Sequence, residues 1–198
     1  MLNALRRLAA ACLLSGLGLV AACETAPAPP RFAEPSYADR GAFDLAVSDV
    51  AVEVSYVPPL REPNVEHRFP VSLAGAAERW ARERLRATGG AEFLRFDITD
   101  ASVVEEPLPV KEGLEGAVTV DQERRYRGRL AVLLEAVAEI GGRMAYVEVE
   151  VTMSKTVPEG LTVNERDRIF HGMVLGMMDQ LDAQLDEQIP RYFGSYLH

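Results

Sequence analysis

Two neighbouring stretches of alternating apolar and polar residues constrain the fold of this chain more than any other feature of its sequence. The apolar positions are Tyr126, Leu130, Val132, Leu134, Ala136 and Ala138 in the first stretch, and Ala145, Val147, Val149, Val151 and Met153 in the second. Gly141-Gly142 between them favours a two-residue hairpin turn. Such a turn pairs Leu134 with Val149. It therefore places both apolar sets on one face of an antiparallel sheet.

Shorter alternating stretches predict two further strands earlier in the chain. Residues 43–47 and 50–56 alternate in opposite phases, which predicts one strand with a bulge at Ser48-Asp49. A second strand is predicted over Glu92 to Val104. The following stretch, residues 105–124, contains prolines and glycines and is predicted to be a long connection, a type that is often functional.

Two helices are predicted from capping residues and helical periodicity. Ser72 caps the first, which is expected to run to about Thr88. Thr162 and Glu165 form a capping box before the second, which is expected to stop at Pro190. The apolar stripe of the second helix is Ile169, Phe170, Met173, Val174, Met177, Met178, Leu181 and Leu185.

The order of these elements is strand, helix, three strands, helix. Each strand has one apolar face and each helix has one apolar stripe, so the elements must cover one another. We therefore predict an α+β fold with two layers, in which both helices lie on one face of a four-stranded, mostly antiparallel sheet.

The N-terminus has the pattern of an export signal. A positively charged start, Met1 to Arg7, precedes the uncharged apolar run Leu8 to Ala22, which at 15 residues is shorter than the roughly 20 that a membrane-spanning helix needs. The residues Val20-Ala21-Ala22-Cys23 resemble the bacterial lipobox. That resemblance implies cleavage before Cys23 and attachment of acyl chains such as palmitate to it. An ordinary signal peptide with a chance cysteine is the alternative.

Three segments follow from this interpretation. Residues 1–22 are the lipoprotein signal peptide, residues 23–41 are the lipidated Cys23 and a Pro-rich tether, and residues 42–198 are a single domain. An extended tether of this length reaches up to ~50 Å. Glu24 follows the cysteine, where Asp is often associated with retention in the inner membrane. The sequence therefore favours the outer membrane, with the domain facing the periplasm.

The charge of the mature chain excludes one class of partner. Loss of Arg6 and Arg7 with the signal leaves 19 basic and 30 acidic residues, a net charge of −11. Such a chain is poorly suited to nucleic acid, whose binding depends on cations that contact phosphates. An anionic lipid surface should also repel it, so the membrane is expected to hold it through the Cys23 lipid.

Cysteine and histidine chemistry is also restricted. The chain has two cysteines, Cys12 and Cys23, so the mature domain contains no thiol for a disulfide, a zinc site or a nucleophile. The three histidines, His67, His171 and His198, have no metal-ligand spacing, and no phosphate-binding glycine loop occurs. We expect neither a metal nor a cofactor.

One pair of residues is a candidate for catalysis. The predicted hairpin register places Glu135 opposite Glu148 on the outer face of the sheet, and paired carboxylates can supply an acid and a base. The alternative is an exposed pair with a small energetic cost.

Two residue groups are candidates for a partner or ligand surface. Arg125, Arg127 and Arg129 share the outer face of a strand and could meet an anionic headgroup or an acidic partner, or could pair with neighbouring acids. Met173, Met177 and Met178 lie on the helical stripe and could adapt to varied partners and acyl chains, or could be core.

The whole chain resembles uncharacterised lipoproteins of Gram-negative bacteria. The stretches that carry this resemblance are VPPLREPNVEHRFP, ERWARERL, FDITDASVVE and TVPEGLTVNER. The layout, with Arg79-Trp80-Ala81, is also similar to auxiliary lipoproteins of ABC-type lipid transporters. This second resemblance implies an accessory role by analogy.

Three functions follow as hypotheses. The first is a non-enzymatic envelope module that supports lipid transport or outer-membrane assembly by binding a transporter, an assembly protein or a lipid. The second is a structural lipoprotein that spaces the envelope. The third is a hydrolase of an envelope polymer that acts through Glu135 and Glu148.

Overall fold

The computed structural model describes residues 32–108, 122–138, 140–158 and 160–198, with the backbone alone for Gln122 and Glu123. The predicted signal segment, Cys23 and the tether up to Arg31 lie outside the described residues, as does the 109–121 part of the predicted long connection. Within the described ranges, no helix is both long and apolar enough to cross a membrane.

The described residues form six strands and two α-helices. In chain order they are β1 (Phe43–Leu45), β2 (Val50–Val54), α1 (Leu73–Arg84), β3 (Leu85–Ala87), β4 (Phe93–Pro107), β5 (Gln122–Ala138), β6 (Gly142–Pro158) and α2 (Val163–Tyr192). The main sheet has the order β2-β4-β5-β6, in which only β2 and β4 are parallel. The predicted α+β fold and its mostly antiparallel four-stranded sheet are confirmed.

Both helices cover the same face of this sheet. From α1, the buried Trp80 stacks on Phe96 of β4, with ring centroids 5.7 Å apart. From α2, Met177 approaches β5 so closely that a Cβ on Gly128 would lie 2.7 Å from the Met177 Sδ. Burial of such large side chains, at about 1.5–3 kcal/mol each, drives the packing of the two layers.

The predicted hairpin register between β5 and β6 is wrong by two residues. Leu134 pairs with Val147 instead of Val149. The reason is that the pair of residues nearest the turn is Ala138 and Gly142, so the turn does not consist of Gly141-Gly142. An irregularity of one residue between Ala136 and Val137 then leaves the observed register two residues away from the predicted one, which is an even number. Since side chains alternate with a period of two, both apolar sets still face the core.

The predicted bulge at Ser48-Asp49 is instead a break between two strands in different sheets. β1 pairs with β3 in a separate parallel pair, whereas β2 pairs with β4. The Ser48 amide donates to the Glu92 carbonyl at 2.7 Å, and the Leu94 amide donates to the Asp49 carbonyl at 2.9 Å. These contacts turn the chain between the two strands.

The two helix ends also differ from the prediction. α1 ends at Arg84, because Leu85–Ala87 pairs with β1 and forms β3. α2 continues past Pro190 to Tyr192, because a proline removes a single amide donor and the Phe193 amide still donates to the Ile189 carbonyl at 2.8 Å.

The described part of the predicted tether, residues 32–41, packs on the helices. Tyr37 is buried, and its amide donates to Glu83 of α1 at 2.5 Å. Arg84 of α1 donates to the carbonyls of Arg40, at 2.6 Å, and Gly41. Ordered packing therefore begins before the predicted domain boundary at residue 42.

Candidate ligand-binding site

A groove between α2 and β6 is the best candidate for a ligand site. The helix lies close to the strand at Gly176, where a Cβ would be 2.6 Å from the Met153 Cε. One turn earlier, a Cβ on Gly172 would have no neighbour within 4 Å. The close approach at one glycine and the open space at the other produce the groove.

This groove combines an apolar lining with two cations. Its volume is about 330 Å³. The lining residues are Met153, Lys155, Arg168, Ile169, Gly172 and Met173. β6 is the last strand of the main sheet, so the groove lies along a sheet edge that no described strand covers. None of these described lining residues is acidic, which gives the groove a positive charge.

The two cations are available to a ligand. Lys155 and Arg168 are exposed, and neither forms a hydrogen bond or an ion pair with any residue that the structure describes. Glu165, one turn before Arg168, has its carboxylate hydrogen-bonded to the Thr162 hydroxyl at 2.6 Å and the Thr162 amide at 2.9 Å. These bonds hold the pKa of Glu165 below its usual range, and Arg168 makes a smaller contribution. Glu165 is therefore ionised, but its carboxylate is bound by Thr162, and Lys155 and Arg168 remain without an ion pair among the described residues, beside the methionine and isoleucine side chains.

This arrangement suits a ligand with an anionic group and a hydrocarbon chain. Hydrogen bonds between a cation and an anion are shorter and stronger than neutral ones. Methionine side chains are flexible and polarisable, so Met153 and Met173 can adapt to an acyl chain.

A smaller polar pocket lies beside the N-terminal end of α2. It has a volume of about 140 Å³, and Arg124, Tyr126 and Arg166 contribute to its lining. Arg124 forms an ion pair with Glu105. Burial, and then the Glu105 charge, raise the pKa of Tyr126, although Arg166 opposes the change. Tyr126 is therefore a neutral hydroxyl at physiological pH, in a pocket that also carries arginine side chains.

The three predicted arginines lie on the outer face of β5, and two of them have acidic partners. Arg129 binds Asp100 at 2.5 Å and Glu150 at 2.8 Å, and Arg127 lies 3.3 Å from Glu106. Arg125 has no ion pair among the residues that the structure describes. The neighbouring acids neutralise much of this face.

The three predicted methionines do not form an exposed surface. Met173, Met177 and Met178 are all buried, because α2 turns its apolar stripe toward the sheet. The prediction of a methionine surface is therefore wrong. Met173 still borders the groove through its small accessible part, whereas Met177 and Met178 belong to the main core.

The predicted pair of glutamates is also wrong. Glu135 lies opposite Tyr146, and Glu148 lies opposite Leu133. Glu135 is only 2% exposed, and it accepts hydrogen bonds from Arg95 and Arg143. Burial alone would raise the pKa of Glu135, but the two guanidinium groups lower it below its usual range. Glu135 therefore stays ionised and is unsuited to act as a general acid.

The three histidines have separate contacts. His171 contacts the Ala33 carbonyl at 2.8 Å, His67 lies near Phe69, and the His198 amide donates to the Asp44 carbonyl at 3.2 Å. Across the described ranges, no group of three or more His, Cys, Asp or Glu side chains could hold a metal.

Sequence reasoning missed both cations of the groove. Lys155 shares the parity of Met153 and Val157, which are apolar and point toward the helical layer. A lysine in that phase is the signal that could have identified the site. Arg168 adjoins the apolar stripe at Ile169, but it carries no comparable signal.

Comparisons with known proteins give a limited result. No family model matches the chain, and no curated protein matches it. Among solved structures, a minor lipoprotein from Acinetobacter baumannii is 13% identical with a TM-score of 0.39, covering 75% of this chain and 96% of that one. Rare lipoprotein B from Shewanella oneidensis is 11% identical with a TM-score of 0.29, covering 70% of this chain and 99% of that one. At these values neither similarity carries an argument about this chain, and neither supports the predicted likeness to transporter auxiliary lipoproteins.

Proposed function

We propose that this chain is an envelope lipoprotein, anchored through Cys23, whose domain is a non-enzymatic accessory module that binds an anionic lipid. The site is the groove between α2 and β6. Binding there would serve lipid transport or outer-membrane assembly at the membrane that holds the anchor.

One observation carries the choice of ligand. Lys155 and Arg168 lie beside an apolar lining and form no ion pair in the described part of the chain. In a protein with 30 acidic and 21 basic residues, most cations can find a carboxylate. Two cations that have none, next to methionine and isoleucine side chains, favour a headgroup that carries negative charge and an acyl chain that packs below it.

The absence of catalysis is part of the same proposal. Glu135, the better candidate for an acid or a base, is bound by Arg95 and Arg143. Glu148 lies opposite a leucine instead of a second carboxylate. These placements remove the arrangement on which the hydrolase hypothesis depends.

Photo-cross-linking in native membranes tests the ligand. The full chain is produced in cells, and their membranes are loaded with a diazirine-bearing phosphatidylglycerol. The cross-linked peptides are then identified by mass spectrometry. We expect adducts on the groove segments, residues 153–155 of β6 and 168–173 of α2. The same spectra of the N-terminal peptide report whether Cys23 carries lipid.

Charge reversal provides the matched comparison. Lys155→Glu with Arg168→Glu should lower the cross-linking yield about tenfold, because a hydrogen bond to a charged group contributes ~1.5–3 kcal/mol. Arg191→Glu, on the exposed part of the same helix, should leave the yield unchanged. An unchanged yield in the double variant, or adducts confined to other segments, contradicts the proposal and favours a structural role.

A further inference from the structure

We propose that the loop from Val57 to Arg61 is a membrane-contacting surface that inserts its apolar side chains into the bilayer that holds the Cys23 lipid. This inference rests on the proposed anchoring, but it does not depend on the groove. Val57 is 81% exposed and Leu60 is 64% exposed, with Pro58 and Pro59 between them. Such a concentration of exposed apolar residues is typical of an interaction surface.

The loop is held in place from both sides. The Tyr56 hydroxyl donates to Glu66 at 2.7 Å, and the Asn64 amide donates to the Arg61 carbonyl at 2.9 Å. Beyond the loop, the Val65 amide donates to the Val103 carbonyl at 2.8 Å. A loop fixed in this way presents its apolar side chains without losing much conformational freedom when it binds.

The packed segment 32–41 shortens the distance between the domain and its anchor. Phe32 contacts His171, with ring centroids 5.1 Å apart, and Glu34 pairs with Arg79. Only eight residues, 24–31, separate Cys23 from Phe32. At about 3.1 Å per residue, the chain from Cys23 to Phe32 reaches about 28 Å, roughly half of what the whole predicted tether would allow.

Aromatic contacts with α2 are made both by the connection that carries the loop and by the start of this segment. The loop belongs to the connection between β2 and α1. Phe69, near the end of that connection, stacks on Phe170 of α2 with ring centroids 4.1 Å apart. Phe170 is the neighbour of His171, which contacts Phe32. The residue at which the described domain begins and the connection that carries the loop therefore contact neighbouring residues of α2.

The charges near the loop are compatible with a lipid surface. Arg61 is exposed and has no ion pair in the described part of the chain. Glu62 is paired with Arg68 at 3.3 Å. Because the chain as a whole is acidic, contact must come from apolar insertion. The Cys23 lipid raises the local concentration of the loop at the membrane, so that insertion of two side chains is sufficient.

A single-cysteine label tests this contact in the full chain. Lipidation converts the Cys23 thiol to a thioether, so Leu60→Cys provides the only free thiol for an environment-sensitive dye. The control is Ile140→Cys. Ile140 is 99% exposed and follows the end of β5, where Val137 pairs with Phe93 at the start of β4. The loop is near the other end of β4, where Asn64 pairs with Val104, about 33 Å away along the strand.

The labelled protein is reconstituted in vesicles of phosphatidylethanolamine and phosphatidylglycerol with nitroxide-bearing lipid. We expect quenching of the dye at position 60 to exceed that at position 140 by at least threefold. Equal quenching, with lipid on Cys23 confirmed by mass spectrometry, overturns this inference and leaves the anchor intact. A dye at position 60 that is shielded from an aqueous quencher but not quenched by the lipid overturns it in favour of contact with a second copy of the chain, since the vesicles contain no other protein. If Cys23 carries no lipid, the anchoring proposal fails and this inference fails with it.

Discussion

Trp80 donates its indole N–H to the carboxylate of Asp182 at 2.6 Å, and this hydrogen bond joins α1 to α2 inside the core. Asp182 is 0% exposed. Arg40 also donates to it, and the Arg84 Nε lies 3.5 Å away. One buried carboxylate therefore connects both helices to the packed N-terminal segment.

Asp182→Asn should destabilise the domain strongly. The change removes the charged acceptor of Trp80 and Arg40, while Asp186 still pairs with Arg84, and we expect a loss of about 2–3 kcal/mol because a hydrogen bond to a charged group contributes ~1.5–3 kcal/mol. Urea denaturation of the full chain measures the free energy of unfolding. Asp179→Asn is the control, because Asp179 is exposed and lies 3.8 Å from Arg40, and its effect should stay below ~1 kcal/mol. Similar small effects of the two substitutions would show that the network does not hold the helices together.

Glu135 should make the folded state sensitive to acid. Although burial opposes the change, Arg95 and Arg143 lower the pKa of Glu135 in the folded state below its usual range. A carboxyl group whose pKa is lower in the folded state than in the unfolded state stabilises the folded state at pH values above its unfolded pKa. This contribution is lost as the pH falls through the pKa of the folded state. Stability should therefore decline as the pH falls below the ordinary titration range of a glutamate, about pH 4.3.

The matched variants are Glu135→Gln and Glu148→Gln. The first should lower the free energy of unfolding by about 1–2 kcal/mol at neutral pH and flatten the decline in acid, because it loses charged hydrogen bonds. The second should behave like the wild type, since Glu148 is exposed on the outer face. Urea denaturation across the pH range measures both, and identical pH profiles for wild type and Glu135→Gln would contradict the assignment.

Gly90→Ala should destabilise the fold by steric conflict. A Cβ at this position would lie 2.1 Å from the Ala46 carbonyl oxygen, a backbone atom. The neighbouring backbone cannot easily move, because the Gly89 amide donates to the Val47 carbonyl at 3.0 Å. We expect a loss of about 2–3 kcal/mol in a urea titration.

The control for this position is Gly75→Ala in α1. Its Cβ would meet the Ser72 Cβ at 3.4 Å, an ordinary contact. Replacing a helical glycine by alanine should raise stability by about 0.5–1 kcal/mol. Equal effects at Gly90 and Gly75 would mean that the close approach to Ala46 is relieved by a small shift.

The sequence is informative about faces and less informative about register. Alternation predicts correctly which side chains of β5 and β6 point to the core, because parity depends only on neighbouring residues. The pairing of Leu134 depends on where the turn closes and on the irregularity at Ala136, and local sequence specifies neither feature strongly. The error of two residues was enough to create a false carboxylate pair.

Sequence reasoning missed the groove between α2 and β6 for a related reason. Lys155 is out of place in an apolar phase, and this anomaly is visible in the sequence. Its proximity to Arg168 depends on how α2 crosses β6, which the close contact between Gly176 and Met153 sets. The packing of Phe32 to Gly41 on the helices likewise depends on tertiary partners such as Glu83 and Asp182, which a Pro-rich composition does not reveal.

Gly172→Leu tests the proposed ligand site with little expected effect on the stability of the fold. A Cβ at Gly172 would meet no atom within 4 Å, so a side chain can be added to this lining residue, and leucine is chosen to fill part of the groove. Leucine is also the better helix former by somewhat under 1 kcal/mol, so the thermal midpoint should stay unchanged or rise. Ala183→Leu is the control, because it adds an exposed leucine to the same helix away from the groove.

The most direct test of the central claim is the yield of phosphatidylglycerol cross-links in native membranes for the wild type, Gly172→Leu and Ala183→Leu. If the groove binds the lipid, Gly172→Leu should lower the yield about tenfold while the folded state remains intact, and Ala183→Leu should match the wild type. A yield that is the same in all three proteins would show that this groove is not where the chain binds lipid.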